Sequence, residues 1–189
     1  MKEKNSQKVS LNTKGGVLKA ELDNNLVSIN MGSPIFDWKK IPLNKDMDNK
    51  NLKIVITNQD DITTLNGFSL SVGNPHIVFF VNNLNEYDLK KIGPQIENHE
   101  YFPEKCNVTF AKIVNKKHLK VKVWERGAGL TKACGTAACA TVVASSVLKL
   151  TDKVTDVEFV EGLLNINWKQ NNNIYMKGKV SKINKIVIE

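Results

Sequence analysis

The 189 residues are 41% hydrophobic, enough to bury a core, and carry a formal net charge of +8. The charge comes from lysines scattered along the chain (Lys39, Lys40, Lys90, Lys91, Lys116, Lys117) with a single arginine, which describes a solvated face and argues against a nucleic-acid surface. No apolar run approaches the roughly 20 residues that cross a bilayer, and "MKEKNSQKVS" lacks the apolar middle of a secretion signal, which argues against a membrane protein and leaves the cytoplasm as the expected compartment.

In chain order, "VSLNT" and "VLKAEL" flank Lys14-Gly15-Gly16, and Asp23-Asn24-Asn25 precedes "LVSINM", which predicts a three-strand meander. "LKIVIT" and "FSLSVG" continue the strand pattern, with Asn66-Gly67 as the expected turn, and "HIVFFV" fits a buried strand. Over 86–99, Leu89, Ile92 and Ile96 stand at helical spacing, and Gly93-Pro94 predicts a break that makes this a helix in two parts. "CNVTFAKIV" and "HLKVKVWE" predict a hairpin around Asn115-Lys116-Lys117. Residues 135–150 are small and apolar on nearly every face, which predicts a helix enclosed on all sides. Strands are expected at 155–160, 163–168 and 174–180, with "KINKIVIE" as a last one. These elements describe an α+β unit, a sheet of many strands around one buried helix.

The cysteines are Cys106, Cys134 and Cys139, an odd number without zinc spacing, so the chemistry open to them is that of reduced thiols. Cys134 falls where a glycine-rich loop turns into the enclosed helix, and the free N–H groups and positive dipole end there favour a thiolate. The same N–H groups, from Gly135, Thr136 and Ala137, suit a substrate carboxylate. Cys139 lies about 140° round the helix from Cys134, and Cys106 precedes a strand, so both are expected to pack rather than react. Glu125 and Arg126 end a strand just before the loop and can bind an ammonium and a carboxylate, although alone they also fit a surface ion pair. Asn74 and His76 flank Pro75 in a rigid polar turn opening an apolar strand, a position suited to proton handling. Asn107 is an amide at a buried edge whose partners are backbone or ligand.

Three blocks, "GNPH" (73–76), "GPQIENHEYFP" with "NVTF" (93–110) and "ERGAGLTKACGTAACA" (125–140), resemble the signature segments of diaminopimelate epimerases in order and spacing. "VSLNTKGGVLKAEL" and "INMGSP" resemble the stretch joining that family's two halves, so the resemblance covers nearly the whole chain. It implies two pseudo-symmetric halves, each a curled, mostly antiparallel sheet around a central helix, and a cofactor-independent, two-thiol inversion interconverting LL- and meso-diaminopimelate in lysine and peptidoglycan-precursor biosynthesis. On this resemblance Cys134 is one of the two thiols, Glu125 and His76 assist the proton transfers, Gly135 and Thr136 hold the reacting carboxylate, and Asn74, Asn107, Glu125 and Arg126 also contact substrate. Ala137 stands where the family usually has glycine, a change a helix tolerates.

The half bearing a "CGNG"-type cysteine loop has no counterpart in the sequence. Residues 1–22 are therefore expected to be a remnant of that half, 23–180 the C-terminal epimerase domain, and 181–189 a strand returning to the other half. The expected partners are a small-molecule substrate and a separately supplied N-terminal half, with a homodimer left open, and no metal, nucleic acid or membrane. The isolated chain is expected to be inactive as an epimerase. The alternatives are a related cofactor-independent amino-acid racemase or isomerase, or a non-catalytic carboxylate-binding module of the same fold.

Overall fold

A computed structural model describes residues 8–13, 16–23, 26–58 and 61–180. The sequence-predicted meander is present as β1 (Lys8–Thr13), β2 (Gly16–Asp23) and β3 (Leu26–Asn30), while the Lys14-Gly15 and Asn24-Asn25 turn residues and the expected strand in 181–189 lie outside the described residues. Next come β4 (Leu52–Asn58), β5 (Asp61–Ser71), β6 (Pro75–Phe80), a 3₁₀ turn at Leu84–Glu86 and helix α1 (Leu89–Glu97). Then follow β7 (Asn107–Asn115), β8 (His118–Glu125), a short β9 (Gly129–Thr131) that the sequence reading lacks, and helix α2 (Gly135–Val147). β10 (Val154–Phe159), β11 (Gly162–Trp168) and β12 (Ile174–Lys179) complete the described chain.

All the strands join one curled sheet in the order β1-β2-β3-β12-β11-β10-β8-β7-β6-β5-β4, with β9 attached to β8. The pairs β6–β7 and β8–β10 are parallel and the others antiparallel. This sheet wraps α2, which packs on β5, β6, β7, β10, β11 and β12. The small side chains explain the fit: Ala137, Ala138, Cys139, Ala140, Val142, Val143 and Ala144 are all fully buried, and bulkier residues on so many faces would hold the strands away. α2 ends at Val147, a turn short of the predicted Leu150, because Lys149 takes a left-handed conformation (φ 60°) and the chain turns out of the helix.

A second core lies on the opposite face of the sheet, under α1. Ile54, Ile56, Ile77, Phe79 and Phe110 meet Ile92 and Ile96 there. Strand alternation divides the two cores: Val78 faces α2, whereas Ile77 and Phe79 face α1.

Two expectations are corrected. Asn66-Gly67 is no turn but the interior of β5, where Leu52 pairs with Gly67 and Asn58 with Asp61. Gly67 is there because a Cβ would come within 2.5 Å of Ile77 Cδ1. Pro94 does not break its helix either; α1 runs through it, and the discontinuity falls before Asp88, whose side chain caps α1 by accepting from Lys90 N (3.1 Å). In so short a helix Pro94 removes a single intrahelical donor, and tertiary docking holds the rest, with Gln95 Nε2 bonded to both Lys91 O and Thr57 O. Among the described residues no helix is long and apolar enough to cross a membrane.

Candidate active site

Three neighbouring strands aim polar residues at one end of α2. Val78 and Val123 belong to the α2 core and both pair with Thr109, so residues two positions along their strands face the same way. Those residues are His76, Asn107 and Glu125. His76 pairs directly with Asn107, and Glu125 lies one step beyond the Val108–Trp124 pair. The sheet thus brings together residues almost fifty positions apart in the chain.

Cys134 is the N-cap of α2, extended at φ −148° and ψ 115°, and the first i to i−4 bond runs from Ala138 N to Cys134 O (3.1 Å). The N–H groups of Gly135, Thr136 and Ala137 are therefore left without intrahelical acceptors. Gly135 has a packing reason to lack a side chain, since a Cβ would lie 2.8 Å from Met176 Sδ. A chain of contacts leads away from the thiol: Cys134 Sγ lies 3.4 Å from Thr136 Oγ1, Asn74 Nδ2 donates to Thr136 Oγ1 (3.5 Å), and His76 Nε2 lies 3.0 Å from Asn74 Oδ1. Because Asn74 Oδ1 only accepts, His76 carries its proton on Nε2 in this network. Its Nδ1 is buried without a protein partner.

Burial governs both titratable groups. His76 is fully buried, and desolvation, helped by the Arg126 guanidinium, lowers its pKa to about 3, so the imidazole is neutral near pH 7. The Cys134 thiol is pushed up, which corrects the expectation of an easily ionised helix-end cysteine. Loss of water is the largest influence; the Thr136 hydroxyl and the Ala137 N–H favour the thiolate without prevailing, and the Glu125 carboxylate beside the sulfur disfavours it further.

The other cysteines are buried in the two cores. Cys106 lies in the α1 core with its thiol pushed up by burial, and Cys139, inside α2, is raised to about 12 by burial and by Cys134. Among the described residues no three His, Cys, Asp or Glu side chains gather as a metal site.

Arg126 is exposed, and one of its guanidinium nitrogens, Nη1, donates to Glu104 O (3.0 Å). Asn107 turns out to be engaged with backbone: Nδ2 donates to Pro75 O (2.9 Å) and Oδ1 accepts from Arg126 N (3.0 Å), tying the start of β6 to the turn after β8. The sequence reading missed Glu97, whose carboxylate accepts from Trp124 Nε1 (2.7 Å) and Gly127 N (2.9 Å). A signal was available, since Glu97 continues the apolar stripe of Leu89, Ile92 and Ile96, and a carboxylate on a buried stripe must have donors waiting for it. Next to Ala133 opens a cleft of about 940 Å³ between Leu26, Phe159, Leu164, Lys177 and Gly178. It adjoins the Cys134 cluster without containing it.

Comparison with known proteins bears on this cluster. The family model described as diaminopimelate epimerase matches residues 68–183. A diaminopimelate epimerase of Pelagibacter ubique (strain HTCC1062) is 52% identical over 189 residues, covering 100% of this chain and 69% of that protein. One from Rhodopseudomonas palustris (strain TIE-1) is 44% identical over 149 residues, covering 78% of this chain and 51% of that protein. The chain thus spans from about half to about two thirds of the length of these relatives. Among solved structures, a hydroxyproline epimerase from Agrobacterium vitis aligns with TM-score 0.61 at 11% identity, over 95% of this chain and 58% of that one. A phenazine biosynthesis protein of the PhzF family from Bacillus anthracis aligns with TM-score 0.54 at 16% identity, over 93% and 66% respectively. At such identities these two likenesses concern the fold.

Proposed function

The chain belongs to the diaminopimelate epimerase family, and on that premise we propose that it forms one side of a two-thiol site inverting Cα of diaminopimelate, with Cys134 as one of the thiols. The observation that carries this reading is the meeting of His76, Asn107 and Glu125, from three adjacent strands, with Cys134 at the start of α2.

In the proposed reaction the Cys134 thiolate removes the α-proton from one face of the substrate, leaving a carbanion conjugated with its carboxylate. The N–H groups of Gly135 and Thr136, at the positive end of α2, hold that carboxylate where negative charge grows. A second thiol returns a proton to the opposite face, and in the reverse direction Cys134 is the donor. The raised pKa of Cys134 suits the donor role, and as base it relies on Thr136 and Ala137 N–H to steady the thiolate. Glu125, beside the sulfur, is placed to exchange the thiol proton. His76 is neutral and bonded to Asn74, so its part is to hold the arm that ends on Thr136. Asn74, Asn107 and the exposed Arg126 guanidinium are assigned to the distal amino-acid head group, Asn107 largely by setting the Arg126 backbone. The scheme uses no cofactor.

Cys106 and Cys139 are fully buried, so the opposing thiol is assigned to residues outside 1–189. β1 and β2 are assigned to contact the half that supplies it, because the sheet face of Val27 and Ile29 continues onto them as the exposed Leu22, Val9 and Leu11. The test is interconversion of LL- and meso-diaminopimelate followed chromatographically. The 189-residue chain alone should give none; with the N-terminal half of a family member added, activity should appear and fall about 10²–10⁴-fold in Cys134→Ser. Conversion by the isolated chain, or full activity of the Cys134→Ser complex, refutes the reading. If proline derivatives are turned over and diaminopimelate is not, the related-racemase alternative replaces it.

A further inference from the structure

Glu97 is a carboxylate that the core has taken in: it is 6% exposed, on the inner stripe of α1. Its two oxygens go to N–H donors, Oε2 to the Trp124 indole (2.7 Å) and Oε1 to Gly127 N (2.9 Å). Keeping a charge in a core is costly, and a well-packed apolar side chain often serves stability as well or better. The arrangement therefore points to what the two bonds hold.

They bracket the Glu125–Arg126 pair. Trp124 precedes it, Gly127 follows it, and the turn between is closed by Ala128 N to Glu125 O (3.0 Å) with Gly127 at φ 75°. The next backbone N–H upstream of Gly127, that of Arg126, is held by Asn107 Oδ1 (3.0 Å). α1 is seated directly on the indole, since a Cβ on Gly93 would come within 2.5 Å of Trp124 Cδ2. Helix, indole and turn thus form one bracket, and Glu125, on the same face of β8 as Val123, is among the groups that act on the Cys134 thiol.

We propose that Glu97 is a positioning residue, which fixes the Glu125 carboxylate against Cys134 by holding the Trp124 indole and the Gly127 N–H. This rests on the reading of Cys134 and Glu125 as working partners, but its test reads the thiol directly and needs no turnover. Cys134 is faced by Glu125 from β8 and by the Thr136 hydroxyl, the Ala137 N–H and the Cys139 thiol from α2, and all but the one mutated group are kept in each variant.

The experiment is the pH dependence of Cys134 alkylation by iodoacetamide in the 189-residue chain, read by peptide mapping. Glu125→Gln should lower the midpoint, because the carboxylate disfavours the thiolate. Glu97→Leu should lower it in the same direction by about half a pH unit, or about threefold faster alkylation at pH 8. The double variant should move no further than Glu125→Gln alone, a coupling that a merely structural role would not produce. Glu97→Gln keeps one acceptor oxygen for two donors, so it should shift the midpoint in the same direction as Glu97→Leu but by less. If Glu97→Leu does not fold, Trp124→Phe removes only the indole N–H and should shift the midpoint the same way. An unmoved midpoint in folded Glu97→Leu or Trp124→Phe, with the Glu125→Gln shift present, overturns the positioning role alone. Absence of the Glu125→Gln shift overturns the Glu125–Cys134 partnership and this role with it.

Discussion

At the scale of single residues, Cys134 sits among groups that pull its proton in opposite directions. Thr136 and the Ala137 N–H favour the thiolate, whereas burial and Glu125 favour the thiol. Replacing Thr136 by Val should therefore raise the alkylation midpoint of Cys134, opposite in sign to Glu125→Gln, and the two variants in one titration series check the assignment. His76 makes a separate prediction about stability. Its pKa of about 3 when folded lies below the 6.5 of an exposed imidazole, so between those values the unfolded chain binds a proton that the folded chain refuses. The stability associated with neutral His76 is complete above pH 6.5 and is lost as the pH falls toward 3, by up to about 5 kcal/mol at about 1.4 kcal/mol per unit. Urea unfolding at stepped pH should show this slope in the wild type and a flatter one in His76→Gln, which has nothing to titrate there.

At the scale of elements, α1 shows how tertiary contact overrides a local rule. Gly93-Pro94 looks like a helix break by propensity, yet Gly93 is the point where the helix touches the Trp124 ring. Gly93→Ala gains about 1 kcal/mol in helix propensity but forces a Cβ into the indole, an overpacking worth about 1–3 kcal/mol, so the net effect is destabilising. Denaturant unfolding would register it as a lower midpoint with unchanged slope. The same reasoning explains Gly67, whose dipeptide reads as a hairpin turn but whose place in β5 is set by Ile77 and Phe79 packing over it. The strands of β6, β7, β8 and β10 to β12 and the enclosed helix were legible because alternation and small-residue composition are local signals. The core beneath α1 was not, because it arises from contacts between segments far apart in the chain, and β9, although it pairs with the neighbouring β8, is three residues long, too short to show an alternation.

At the scale of the whole molecule, the sheet continues past the part that wraps α2. β3 joins β12, and the inner face then runs on through Ile29 and Val27 to Leu22, Val9 and Leu11, exposed among the described residues. If this face meets the half that supplies the second thiol, Val9→Lys with Leu11→Lys should leave the far-ultraviolet circular dichroism and unfolding of residues 26–180 nearly unchanged. The same variant should weaken association with an added N-terminal half by at least about tenfold, measured by titration calorimetry, because charges are driven into an apolar contact.

The sequence by itself determined the class of fold, the enclosed helix, the family resemblance and the place of Cys134 at the start of that helix, because periodicity, small-residue runs and a glycine-rich loop at a helix start are written in neighbouring residues. Only the tertiary structure decided that the thiol is raised rather than lowered, that His76 is neutral, that the Asn107 carboxamide is spent on backbone and that Glu97 is bonded to Trp124 and Gly127. Desolvation and hydrogen bonding across strands depend on which distant segments the sheet brings together, and no local pattern carries that information.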